Sequence, residues 1–200
     1  MIDMNALSRD LGAKGHQPRV PGEEGIWVFV LGDMVVFALF FGTFMYSRGK
    51  NPDIFARGHA ALLVSLGTIN TVLLLSSSLL VARGVGYVRG MFHQKARALF
   101  IGAAGCGIGF VVLKVVEWTR LFAEEKSVGT SEYFSYYFMF TGIHLGHVVI
   151  GLAVLGRLIA AVKKPALDYK ARRLCESGGI FWHMVDLLWI VLFALFYLVR

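Results

Sequence analysis

"GIFWHMVDLLWIVLFALFYL", residues 179–198, decides what kind of protein this chain is. A helix that crosses a bilayer asks for roughly 20 predominantly apolar residues, and this run supplies them. Yet it keeps an imidazole, His183, and a carboxylate, Asp186, well inside. Residues i and i+3 are neighbours on a helix, so the two share a face. A segment built for hydrocarbon holds such groups only where they meet protein, water or a headgroup, because each costs on the order of 2.5–3.5 kcal/mol at membrane depth.

The rest of the chain agrees with a membrane reading. Its 200 residues are 56% hydrophobic with 23 Gly and 16 Phe, against 16% charged. A water-soluble domain would have to expose much of that apolar content. Four further runs reach spanning length, so the five lie at about 26–46, 61–82, 98–120, 134–160 and 178–199. The expected fold class is all-α, a polytopic membrane protein folded as a bundle of five transmembrane helices. Residues 1–25, with Asp3, Asp10, Glu23 and Glu24, read as a cytoplasmic tail without a signal peptide, and 26–200 as one membrane domain. The segments between runs, "SRGKNPD", "RGVGYVRGMFHQKAR", "AEEKSVGTSE" and "KKPALDYKARR", read as loops.

The net charge of +7 resides in those loops and not on an amphipathic face, so it points to membrane orientation and away from nucleic acid. Thirteen Lys and Arg fall on the side of the N-terminus against six on the other. The positive-inside bias then puts the N-terminus in the cytoplasm, the C-terminus outside, and a bacterial chain in the inner membrane. Two cysteines, Cys106 and Cys175, are too few and too differently placed for a disulfide framework and read as ordinary thiols.

Several polar residues sit where lipid disfavours them: Asp33, Asn70, Lys114, Glu117, His144, His147, His183 and Asp186. At 1.5 Å per residue, Asp33, Asn70, His147 and Asp186 fall near the midpoints of their runs and could meet in one layer. Lys114 and Glu117 have the spacing of an i, i+3 ion pair. The plain reading makes these groups interhelical hydrogen-bond partners. Two sharper readings stand beside it: a proton relay of carboxylate and imidazole, as in a small proton or ion transporter, and an intramembrane metal site using His144, His147, His183 and Asp186. A di-iron carboxylate bundle needs Glu-x-x-His pairs, and none occurs. Haem ligation by histidine is a further alternative without support of its own, no activated nucleophile or phosphate loop is evident, and no catalytic, cofactor-binding or metal residue is assigned.

Taken together, "GIWVFVLGDMVVFALFF", "INTVLLLSSS", "EYFSYYFMFTGIHLGHVVIG" and "ESGGIFWHMVDLLWIVLFALFYL" resemble subunit III of the haem-copper oxidase superfamily, in its five-helix form. The most specific pieces are Thr-Gly-x-His-x-x-His at 141–147 and the series Glu176, Trp182, His183, Asp186, Trp189. "PGEEGIWVFVLGDMVVFALFFGTF" looks closest to the branch associated with nitric oxide reductase. Glu117, His144, His147, Glu176, His183 and Asp186 match the family's pattern, whereas Asp33 stands where that pattern has Glu. The resemblance implies a subunit without haem or copper that packs against a catalytic, haem-bearing subunit I, binds phospholipid and sustains turnover. On this reading His183 and Asp186 hold the last helix to the fourth and first spans.

Overall fold

The structure is a computed structural model that describes residues 23–60, 62–163 and 167–198. The expected cytoplasmic tail therefore lies, as far as residue 22, outside the described residues. Six helices follow one another: α1 Glu24–Lys50, α2 Pro52–Ala60, α3 Val64–Arg89, α4 His93–Ala123, α5 Glu132–Ala161 and α6 Tyr169–Phe193. The last continues through a wider π turn, Ala194–Leu198. Five of them, all but α2, are long and apolar enough to cross a membrane, so the chain is a multi-pass all-α membrane protein. Only helices and closed barrels can satisfy their own backbone in lipid, and the sequence periodicity leaves helices.

The spans run longer than the apolar runs alone suggest. Residues 83–89 and 169–177 were expected in loops and are helical instead, and the connection between α3 and α4 shrinks to Gly90–Phe92, with Met91 at φ 61°. A hydrocarbon core of about 30 Å is shorter than a 30-residue helix at 1.5 Å per residue, and the extra turns carry basic side chains whose stems follow the helix out to the headgroups. The expected acidic loop stands, closed by Gly129 at φ 95° and by Ser131, whose hydroxyl caps α5 by accepting from Phe134 N at 3.3 Å.

α2 was not expected at all. It is a short amphipathic helix on the rim of the bundle that buries Phe55 and Gly58. Phe55 meets the rings of Phe44 and Tyr133, and a Cβ on Gly58 would come within 2.3 Å of the Tyr133 ring, so only glycine lets α2 lie this close to α5.

α6 is the central post. Of its most apolar stretch 61% is buried, against 17% for α1, which lies at the margin. Trp182 of α6 fits between α4 and α5 because both offer glycine there: a Cβ on Gly107 would sit 2.9 Å from its ring and one on Gly151 2.7 Å. That fit fixes the rotation of α6 and hence the direction of every polar group it carries.

Candidate functional site

Three polar ties cross the bundle, two near its middle and one nearer the α2 end. In the first, His147 of α5 donates Nδ1–H to the carbonyl of Ile143 at 2.9 Å, one turn back on its own helix. Its Nε2 then faces Asp33 Oδ1 of α1 at 3.4 Å. This pair joins the first and fourth spans near mid-membrane, each partner 15% exposed.

In the second, His183 Nδ1 lies 2.6 Å from Ser78 Oγ of α3, and the same serine neighbours the Asp186 carboxylate. The expectation that His183 and Asp186 reach the fourth and first spans is corrected: they reach the second. Trp182 occupies the direction of α4 and α5, so the next residue turns away from it, toward α3. Glu176 extends the same seam toward the Arg89 end of the bundle, paired with Arg89 Nε at 3.0 Å.

The third tie is the most complete. Lys114 and Glu117, on successive turns of α4, are both buried. The ammonium spends its three N–H groups on Glu117 Oε2 at 2.9 Å, Tyr137 OH at 3.0 Å and Tyr197 OH at 3.0 Å. Tyr197 OH in turn donates to Glu117 Oε1 at 2.6 Å, and the ring of Trp189 lies under the ammonium at 4.8 Å. A buried ion pair is sustained only when its remaining donors and lone pairs are satisfied, and here they are. The π turn places Tyr197 for this, and two carbonyls of that turn bond outward, that of Phe196 from Tyr133 OH at 3.1 Å and that of Tyr197 to His59 Nε2 at 3.1 Å. At the same end Glu132 takes Ser47 and Asn51 of the α1 terminus, the latter at 3.1 Å.

Two candidates stand apart from these ties. His144 is fully enclosed between the rings of Phe110 and Trp189, and neither of its nitrogens has a hydrogen-bond partner among the described residues. Asn70 is likewise enclosed with both side-chain atoms unbonded. Of the expected layer of Asp33, Asn70, His147 and Asp186, Asp33 and His147 meet, whereas α3 is centred on Ser76 and Ser77 and leaves Asn70 one to two turns nearer α2. Asp186 keeps Oδ1 without a partner. The side chains once weighed as metal ligands diverge, His144 into an aromatic pocket, His147 to Asp33 and His183 to Ser78. Among the described residues no three His, Cys, Asp or Glu converge as a metal-holding group.

Ser78, Tyr137 and Tyr197 were missed as partners. Their signal was present as hydroxyls inside apolar runs, but it named no partner, since many tyrosines and serines in such runs serve packing alone.

Residues 19–199 match the family described as Cytochrome c oxidase subunit III. The chain is similar to a cytochrome c oxidase subunit 3 of Alkalihalophilus pseudofirmus, 29% identical over 96% of each chain. It is also similar to a quinol oxidase subunit 3 of Bacillus spizizenii, 29% identical over 87% of this chain and 85% of the relative. A heme-copper oxidase subunit I+III of Aeropyrum pernix, 25% identical over 91% of this chain, matches through 23% of its own length. A match across nearly the whole five-span bundle leaves one assignment: the chain belongs to the cytochrome c oxidase subunit III family.

Proposed function

We propose that this chain is the non-catalytic, subunit III-type membrane subunit of a respiratory haem-copper oxidase system, standing beside a haem-bearing subunit I and supporting its assembly, stability and sustained turnover. The end-to-end likeness to named oxidase subunits carries the reading. The fused subunit I+III relative supports a fixed pairing with a subunit I. The bundle's own chemistry supports it as well, because its most buried charges, Lys114 and Glu117, are consumed by each other and by two tyrosines. The N-terminus lies in the cytoplasm and the C-terminus outside the inner membrane, following the distribution of Lys and Arg. Phospholipid contacts complete the assembly. Residues 21–44 favour the branch associated with nitric oxide reductase over a cytochrome c or quinol oxidase.

Affinity purification of the tagged chain from its own membranes in mild detergent tests this. The expected result is a complex with a larger haem protein, and no haem absorbance on the chain after the complex is split. Turnover of nitric oxide or of dioxygen by that complex decides the branch. Stoichiometric haem or metal on the isolated chain overturns the reading. A proton-carrier function leans on the Asp33–His147 pair; it requires proton flux in vesicles holding this chain alone, abolished by Asp33→Asn.

A further inference from the structure

α6 is enclosed on three sides and open on the fourth. α3 packs against it along Gly179, whose Cβ would stand 3.2 Å from Val85, and along the Ser78–His183 contact. α5 reaches it at Gly178, through Val154 and Leu158. α1 reaches it at Phe181, through Phe29. Between the α3 seam and the α1 seam runs a groove whose floor is the exposed strip His183, Leu187, Ile190 and Val191.

His183 is the anomaly in that strip. The span is Tyr169–Leu198, so His183 lies at its middle, about 20 Å from either end at 1.5 Å per residue. Its Nδ1 is tied to Ser78, so the ring is held in one orientation, and the residue as a whole is exposed. The second nitrogen therefore has no partner among the hydrogen bonds of the described residues, at a depth where water and headgroups are out of reach. Polar groups inside membranes face protein or a water-filled cavity almost without exception. Acyl chains cannot take up a hydrogen bond, and a lipid phosphate cannot reach this depth. A protein helix carrying a polar side chain can do both.

We propose that the groove between α1 and α3, floored by His183, Leu187 and Ile190 of α6, receives a transmembrane helix of the haem-bearing subunit, and that a polar side chain of that helix hydrogen-bonds His183 Nε2. This rests on the proposed function for the partner's identity, and it adds which face docks and what the partner must offer there. The fused subunit I+III relative supports that occupant over a second copy of this chain.

The test uses the full chain expressed in its own membranes with its neighbours present. A photoreactive p-benzoylphenylalanine replaces Leu187 or Ile190 in the groove, or Val149 or Ile150 on the exposed face of α5. Crosslinks to the haem-bearing subunit from the groove positions and none from the α5 positions are expected. Separately, His183→Leu should lower the haem subunit recovered per tagged chain by about threefold, the scale of an average hydrogen bond between membrane helices. His183→Gln, which keeps a donor and an acceptor, should restore most of it. Groove crosslinks that capture only lipid or a second copy, while the haem subunit is caught from α5 or merely co-purifies, overturn the docking face and leave the proposed function standing. If no haem protein co-purifies with the unaltered chain, both fail. If the groove crosslinks as expected but His183→Leu changes nothing, the face stands and the hydrogen bond is overturned.

Discussion

The two ends of the bundle are held by different physics. At the α2 end, helices meet through rings and directional bonds: Lys114, Glu117, Tyr137 and Tyr197 form one network, and Phe44 packs edge-on to Phe196 with centroids 5.0 Å apart. At the Arg89 end, helices meet through the absence of side chain. Phe100 of α4 fills the space that Gly84 of α3 leaves, and Val154 and Leu158 close on Gly178. Lipid is as apolar as leucine, so membrane helices have no hydrophobic drive to associate and depend on close packing and hydrogen bonds. This chain leans most on bonds at the α2 end and most on glycine notches at the Arg89 end, with Gly58 a notch at the former and Arg89–Glu176 an ion pair at the latter. The polar end is intolerant of losing a single partner, and the close-packed end is intolerant of gaining a single atom.

Breaking the polar end should give the largest effect. Lys114→Met leaves Glu117 as an unpaired charge in a site where the two side chains are 1% and 4% exposed. Removing one partner of a buried pair costs about 3–5 kcal/mol, whereas replacing both by apolar groups is often neutral. Lys114→Met should therefore sharply lower the thermal midpoint of the purified protein in detergent, and Lys114→Met with Glu117→Leu should recover most of the loss. Equal losses in the single and double variants would remove the network from its place in the comparison.

The close-packed end is probed by adding one carbon. A Cβ on Gly84 would stand 2.6 Å from the ring of Phe100, itself fully buried, so the ring must shift. Gly84→Ala should cost about 1–3 kcal/mol by overpacking. Gly86→Ala, two residues on in the same helix with nothing within 4 Å, is the matched control. It should be neutral or stabilising by up to about 1 kcal/mol through helix propensity. A control as damaging as the test variant would show that helix packing is not what Gly84 serves.

The same contrast explains what the sequence disclosed. All five spans were legible, because lipid imposes one length and one kind of residue on each of them. α2 was not: nine residues that contain Pro52 and Gly58 resemble a loop until Tyr133 is seen lying over the glycine. Among the polar residues, the Lys114–Glu117 pair was legible because both partners lie on one helix at a fixed spacing. Asp33 and His147 were legible as groups of one depth but not as each other's partner, and His183 with Ser78 was not legible, because pairing across helices depends on how each helix is rotated. That rotation is set by large side chains in small-residue notches, Trp182 at Gly107 and Gly151 foremost, and the notch that takes a given tryptophan is not written in either helix alone.

Between the two ends lies the Asp33–His147 tie, and its worth should fall between theirs and the rim's. His147→Leu removes the acceptor or donor that Asp33 Oδ1 meets at 3.4 Å and leaves that carboxylate facing a methyl group. Both partners are only partly buried, and hydrogen bonds between membrane helices measure about 0.6 kcal/mol on average and about 1.7 at most. A loss within that range is expected in a thermal melt, with Asp33→Leu added to His147→Leu giving part of it back. Unchanged stability together with unchanged yield of the oxidase complex would count against a structural role for the pair.

The smallest effect is expected at the rim of the polar end, beyond the spans, where Glu124 takes Lys126 Nζ at 2.5 Å and Arg120 Nε at 3.1 Å. Hydrogen bonds from Lys126 first and Arg120 second hold its carboxyl below the ordinary value of 4.5. A carboxylate whose folded-state pKa is depressed contributes stability that is present above the unfolded value and disappears as pH falls through the folded one. Glu124 and Arg120 are exposed and Lys126 partly so, so the contribution is screened and small. Glu124→Gln should therefore melt slightly below the parent protein at about pH 6 to 7, and the difference should shrink and vanish as pH falls below the ordinary carboxylate range and through the depressed folded-state value. A difference that grows as pH falls would have the wrong sign for this pair. A difference insensitive to added salt would show that the ion pairs with Lys126 and Arg120 are not what Glu124 contributes.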